Sequence, residues 1–297
     1  MRNQHFPDRD LPAPLYLGLP IWQHPSWPGL WLPPTQARTN ALNAYAGHFS
    51  SVEGNSTFYA LPDSMTCQRW YESVPATFRF TFKLNQQVSH ADNILLNADI
   101  LGAQLSSLAH LKEKLGPLML QLPARFSPER LPELVQFIAK WPKDYCLAVE
   151  VRHPAFFEKG HAEKSLNNLL KEHEVNRVMM DTRALFRGQV SSEAMLDARE
   201  KKPRLPLHVW ASGHQPVIRF VGHDDNEINK QCLLPWVDKC HAWRMAGISP
   251  FLFLHRADNK DAPWLAHLFT DLYNKQYPEQ ALPAIRLSEQ PDQQALF

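Results

Sequence analysis

Residues 146–152 read Cys-Leu-Ala-Val-Glu-Val-Arg. Leu147, Val149 and Val151 share one parity and are all apolar. Ala148, Glu150 and Arg152 share the other and turn charged towards its end. Successive side chains of a strand point to opposite faces, so this segment reads as a barrel strand with one face against surrounding helices and the other towards the barrel axis. Residues 78–83, Phe-Arg-Phe-Thr-Phe-Lys, repeat the pattern, with Phe78, Phe80 and Phe82 outward and Arg79, Thr81 and Lys83 inward. In 117–122, Leu118, Leu120 and Leu122 face outward and leave Met119 and Gln121 inside. The same reading of 177–181 turns Val178 and Met180 outward and leaves Asp181.

Working outward, eight strand-like runs appear, at residues 15–22, 49–55, 78–83, 117–122, 146–152, 177–181, 217–221 and 250–255. Helical stretches alternate with them. Asp63 or Ser64 can cap the second helix, and Ser127 with Pro128 opens the fourth. Gly47 and Gly247 stand just past helix ends, where a left-handed residue is favoured. Eight βα units in 297 residues predict a single TIM-like (β/α)8 barrel over residues 13–280, followed by a short, flexible polar tail at 281–297. A doubly wound open sheet is the alternative, weakened in its dinucleotide-binding form because no G-x-G-x-x-G follows the first strand. Residues 184–213 exceed what one connection needs and predict an insertion over the mouth or side of the barrel.

Composition excludes several classes of function. Hydrophobic residues make up 44%, enough for a packed core, and no apolar run reaches 18 residues, so no membrane span is expected. The formal net charge of +1 gives no bulk signal for nucleic acid or membrane surfaces. Cys67, Cys146, Cys232 and Cys240 form no C-x-x-C pair. With no signal-peptide pattern in the first residues, they read as reduced thiols of a cytoplasmic protein.

The polar residues of the inward parity fall late in their strands, at the end of the barrel that carries active sites in enzymes of this fold. One mouth is therefore expected to hold Glu53, Asn55, Lys83, Gln121, Glu150, Arg152, Asp181, Arg219 and His255, three acids facing three bases. Some of these charges can be ion pairs that plug the barrel. As a set they read as a ligand site for a small anion, with phosphate esters the leading class. Asn55, Lys83, Gln121, Arg152, Asp181 and Arg219 would bind; Glu53 and Glu150, with pKa values pushed apart, and His255 would move protons. Any enzyme of this kind would be a metal-independent hydrolase, lyase or isomerase of a phosphorylated small molecule. No cofactor is expected, and no metal, because three nearby cations would compete for the carboxylates it would need. The run from His223 to Glu227 reads as a loop or helix cap rather than a hard-metal site. Arg79 and Arg177, early in their strands, predict structural ion pairing at the opposite end. Trp22, Trp27 and Trp31, set among prolines, predict a rigid loop over the mouth, either packed on itself or stacked on a ligand ring.

Several segments carry a resemblance to a known family. They are Val-Glu-Gly-Asn-Ser-Thr-Phe-Tyr at 52–59, Phe-Arg-Phe-Thr-Phe-Lys at 78–83, Leu-Gln-Leu-Pro at 120–123 and Val-Glu-Val-Arg-His-Pro at 149–154, with Asp181, Ile-Arg-Phe at 218–220 and Ala-Pro at 262–263. Together they resemble the YecE-like proteins, domain of unknown function 72, across almost the whole chain. Tyr-Ala-Gly-His-Phe at 45–49, Lys-Lys-Pro at 201–203 and Leu-Phe-Leu-His at 252–255 resemble its enterobacterial YecE branch. The resemblance implies a TIM-like barrel and assigns no particular activity. The wider family carries paired asparagines at the end of the eighth strand, where this chain reads His255-Arg256.

Residues 293–297, Gln-Gln-Ala-Leu-Phe, suggest a function of another class. They resemble the peptide by which bacterial proteins dock on the DNA-polymerase sliding clamp. Leu296 and Phe297 would fill an apolar pocket while the Gln293 amide bonds at its rim. This makes the clamp a candidate partner and the chain a candidate accessory protein in DNA transactions.

Overall fold

Phe80 and Phe82 stack 5.7 Å apart and Trp70 lies on Phe82 at 5.3 Å, so the apolar parity of this strand meets a helix as expected. The structure, a computed structural model, describes residues 12–287. Its strands are β1 (Tyr16–Leu19), β2 (Ser51–Gly54), β3 (Arg79–Lys83), β4 (Leu115–Gln121), β5 (Leu147–Glu150), β6 (Asn176–Asp181), β7 (Val217–Val221) and β8 (Phe251–His255). Each pairs with the next in parallel, and β8 pairs with β1. The protein is a closed TIM-like (β/α)8 barrel with helices around it. No helix of the described residues is long and apolar enough to cross a membrane.

Inside the barrel, Met119, Ala148, Val178, Val217, Phe251 and Phe253 form one apolar plug, with Tyr16 stacked on Phe251 at 4.5 Å. That plug fills the lower barrel and leaves the polar residues above it at the C-terminal mouth. Outside, a continuous apolar layer joins the other parity to the helices. Gly247 adopts φ +77° after the helix Asn226–Met245, whereas Gly47 is right-handed at φ −70°. Asp63 caps its helix by accepting from the Thr66 amide at 2.6 Å, and Ser127 makes no side-chain cap. All four cysteines are free thiols.

The β6 expectation is corrected. Val178 sits in the inner plug beside Val217, its register partner. Asp181 is in register with Phe220, which belongs to the outer layer. Asp181 therefore faces out of the barrel. Its two oxygens are taken by Arg183 at 2.9 and 2.8 Å and by the Trp236 indole at 2.8 Å. Val178, Met179 and Met180 are apolar on both parities, so alternation alone cannot assign a face there.

The opposite end also differs from expectation in detail. Arg177 pairs with Glu163 at 3.3 Å and donates to Asn167. Arg79 has no carboxylate partner among the described residues; it caps the carbonyls of Ala76 and Phe78 and lies 5.6 Å over the Tyr16 ring. Residues 281–287, the described part of the expected tail, pack on the barrel. Leu282 and Ile285 are buried, and Asn274 exchanges two hydrogen bonds with the Leu282 backbone, because apolar side chains here have a groove to fill. Gln293, Leu296 and Phe297 lie outside the described residues.

Candidate functional site

Arg219 on β7 is the centre of a chain of charges across the mouth. Its Nε and Nη2 hold both oxygens of Glu53 on β2, at 2.8 and 2.9 Å, and its Nη1 holds Glu150 on β5 at 2.7 Å. The other Glu150 oxygen accepts from Arg152 Nε at 2.7 Å. Glu53 also meets His255 Nε2 at 3.2 Å and Lys83 Nζ at 3.9 Å. Glu53, Glu150, Arg219 and His255 are all buried. Buried charges persist when paired, and here each carboxylate is paired twice or more.

Burial works to raise the carboxylates, but Arg219 first, then His255 and Lys83 around Glu53 and Arg152 around Glu150, outweigh it. Glu53 is held well below the ordinary carboxylate range and Glu150 falls to about 2. One shared cation thus pushes both carboxylates the same way rather than apart. Burial lowers His255 to about 4 against the pull of Glu53, with Arg219 and Lys202 acting in the same direction as burial. His255 is neutral at pH 7 and its Nε2 donates to Glu53.

Above this layer lies an open cleft of about 280 Å³, lined by Pro20, Ile21, Asn55, Phe58, Tyr59, Lys83, Gln121, Arg152, Lys201, Lys202, Arg219, His255 and Asn259. Of the residues expected at the mouth, Asn55, Lys83, Gln121, Arg152, Arg219 and His255 come together on it. Glu53 and Glu150 lie beneath it, and Asp181 lies elsewhere. Trp27 and Trp31 are buried edge-to-face at 5.2 Å, and Trp27 Nε1 donates to the Lys260 carbonyl, so they pack on each other and tie their loop to the one after β8. Trp22 packs on Trp70. The rings that reach the cleft are Phe58 and Tyr59, from the turn after β2. Downstream of β7, Asp225 caps the next helix by accepting from the Glu227 amide.

Lys201 and Lys202 are additions that the residue pattern did not assign to the site. They arrive at the end of the helix Glu193–Lys201 in the connection between β6 and β7. Arg199 pins that connection by donating to the carbonyls of Leu185, Arg187 and Gly188, and Thr182 donates to the Pro203 carbonyl. Leu185, Met195 and Ala198 pack on Val221 below it. The insertion expected at 184–213 therefore serves to hold Lys202 over the mouth. In the sequence its signal is the Lys201-Lys202 doublet inside an overlong connection.

The electrostatic balance shifts accordingly. Lys201 is exposed and tied to Asp197 at 2.6 Å. Lys83, Arg152, Lys202 and Arg219 then face only Glu53 and Glu150, a surplus of two formal positive charges at the cleft. Burial, then repulsion from Arg219, lowers Lys83 to about 7 and Lys202 to about 8 against the pull of the two glutamates. Among the described residues, no three His, Cys, Asp or Glu side chains group as a metal site.

The family model for Protein of unknown function DUF72 matches residues 16–292. The chain belongs to this family. Among its relatives, UPF0759 protein YecE of Escherichia coli K12 is 39% identical over 284 residues, spanning 95% of this chain and all of that protein. UPF0759 protein YunF of Bacillus subtilis 168 is 27% identical over 176 residues, covering 55% of this chain and 60% of its own. Among solved structures, a DUF72 family protein of Enterococcus faecalis V583 superposes with a TM-score of 0.67 at 19% identity, covering 93% of this chain and 99% of its own. One from Thermotoga maritima MSB8 gives 0.61 at 19%, covering 90% and 100%. These two share the fold. In this DUF72 chain the loop after β8 begins at Arg256, whose guanidinium donates to the His223 carbonyl and to Asn226, joining the loops after β7 and β8, while Asn259 lines the cleft.

Proposed function

We propose that the mouth of the barrel binds a small phosphate-bearing anion. The observation that carries this reading is the surplus of positive charge in a cleft whose acids are already spent on Arg219. Arg152 uses only Nε on Glu150 among the described residues, leaving its two outer nitrogens as a fork for phosphate oxygens. Lys83 and Lys202 supply point charges from opposite sides. The locked glutamates and the neutral His255 support the frame, and proton transfer at a bound substrate falls to Lys83, whose amine is close to half-protonated at pH 7. Hydrolase, lyase and isomerase chemistry all remain within reach of such a group.

A thermal-shift screen with phosphorylated metabolites tests this. A binding phosphate ester raises Tm. The Arg152→Ala, Lys202→Met double variant is expected to weaken it on the order of 100-fold, at roughly tenfold or more per charge-assisted contact. Binding weakens as pH rises above 7, because Lys83 and then Lys202 shed their protons. Equal affinity in the double variant would remove the assignment.

The second reading rests on Gln293, Leu296 and Phe297. Their spacing supports docking on a bacterial sliding clamp, which would place the protein among accessory factors in DNA transactions. Purified clamp is expected to bind the full chain and to lose affinity for a chain truncated after Asp292. Equal binding to both, or to neither, rejects it.

A further inference from the structure

Two amide side chains in the cleft have chemistry that phosphate does not answer. Asn55 Nδ2 is committed to the Pro20 carbonyl at 2.9 Å and the Glu53 carbonyl at 3.3 Å, which orients the amide. Its Oδ1 is then a buried acceptor with no partner among the described residues. Gln121, in register with Glu150, is 7% exposed. It makes no side-chain hydrogen bond among the described residues, and its Oε1 is likewise buried and unpartnered. A buried acceptor without a donor is costly, and native proteins satisfy nearly all of them. A phosphate dianion carries only acceptors, so it cannot serve these oxygens.

We infer that the ligand is a sugar or polyol phosphate, whose hydroxyls donate to Asn55 Oδ1 and to the Gln121 amide while the phosphate lies among Arg152, Lys83 and Lys202. This rests on the reading of the cleft as a phosphate site and adds the class of the remaining part. A hydroxyl both donates and accepts, which suits a Gln121 amide with both ends free. The cleft, at about 280 Å³, is slightly below the roughly 300–1,000 Å³ of pockets that enclose drug-sized molecules. A three- to six-carbon phosphate suits that space better than a whole nucleotide. Phe58 and Ile21 offer apolar surface for the carbon-bound hydrogens of such a ligand. A site built to hydrogen-bond hydroxyls rejects analogues lacking them, because its own polar groups are then left unpaired.

The test is calorimetric titration of the full chain with glycerol 3-phosphate, ribose 5-phosphate and glucose 6-phosphate against ethyl phosphate, inorganic phosphate and AMP. At least one hydroxylated phosphate is expected to bind tenfold or more tightly than ethyl phosphate. Gln121→Met, close in shape and without polar ends, is expected to remove that advantage and leave ethyl phosphate within twofold. Asn55→Ser serves as the second variant, with a partial loss of the same advantage. Hydroxylated phosphates no tighter than ethyl phosphate overturn the inference and leave the phosphate reading standing. So does equal weakening of every ligand by Gln121→Met, or AMP binding more tightly than all three sugar and polyol phosphates. Failure of every phosphate compound to bind brings down the underlying reading itself.

Discussion

Arg219→Met is expected to destabilise the barrel by about 3–5 kcal/mol, the cost of removing one partner from a buried ion pair. Arg219 donates to both Glu53 oxygens and to Glu150, and all three residues are buried. The substitution strands two carboxylates above an apolar plug, with Arg152, Lys83 and His255 as their remaining partners. Equilibrium denaturation at pH 7 reads the effect directly, and Tm should fall by roughly 10 °C. The triple change Glu53→Gln, Glu150→Leu, Arg219→Met should recover most of the loss, because the penalty lies in unpaired charge rather than in lost volume. A single variant within 1 kcal/mol of the parent would show that the network does not hold the barrel together.

Lys83→Met should act in the opposite direction and stabilise the protein at pH 7. Burial, then repulsion from Arg219, lowers this amine from 10.5 to about 7 against the attraction of Glu53 and Glu150. A group with a lowered folded pKa contributes stability that is full above its unfolded value and is lost as pH falls towards the folded one. For Lys83 that window runs from about 10.5 down to about 7. At neutral pH the folded state therefore carries nearly the whole cost of keeping the amine in place. At 1.36 kcal/mol for each pKa unit, the gain from Lys83→Met is on the order of 2–4 kcal/mol after relaxation of the site. Stability curves between pH 7 and 10 should converge, with the parent rising towards the variant. Loss of phosphate-ester binding in the same variant would mark Lys83 as a residue kept for function at the expense of stability. A destabilised Lys83→Met at pH 7 would sink this account.

The barrel and its mouth were legible where a strand has one apolar parity and one polar parity. Phe78, Phe80 and Phe82 against Thr81 and Lys83, and Leu147 and Val149 against Glu150, leave a single way to turn each strand. Six of the residues expected at the mouth line the cleft because strand alternation and strand direction are local properties, carried by neighbouring positions. Val178-Met179-Met180 offers no such contrast, and alternation therefore puts Asp181 on the wrong face.

The tertiary structure alone decided how the charges are used. Nothing in the spacing of Glu53, Glu150 and Arg219, 69 to 166 positions apart, says that one guanidinium holds both carboxylates. Only closure of the sheet brings β2, β5 and β7 within 3 Å contacts across the axis. Lys202 likewise reaches the cleft because the connection after β6 folds back and is pinned by Arg199, a route that no periodicity encodes. Alternation along a strand therefore determined which side chains can face the axis, and the distances set by closing the barrel decided which of them pair and which stay open to a ligand.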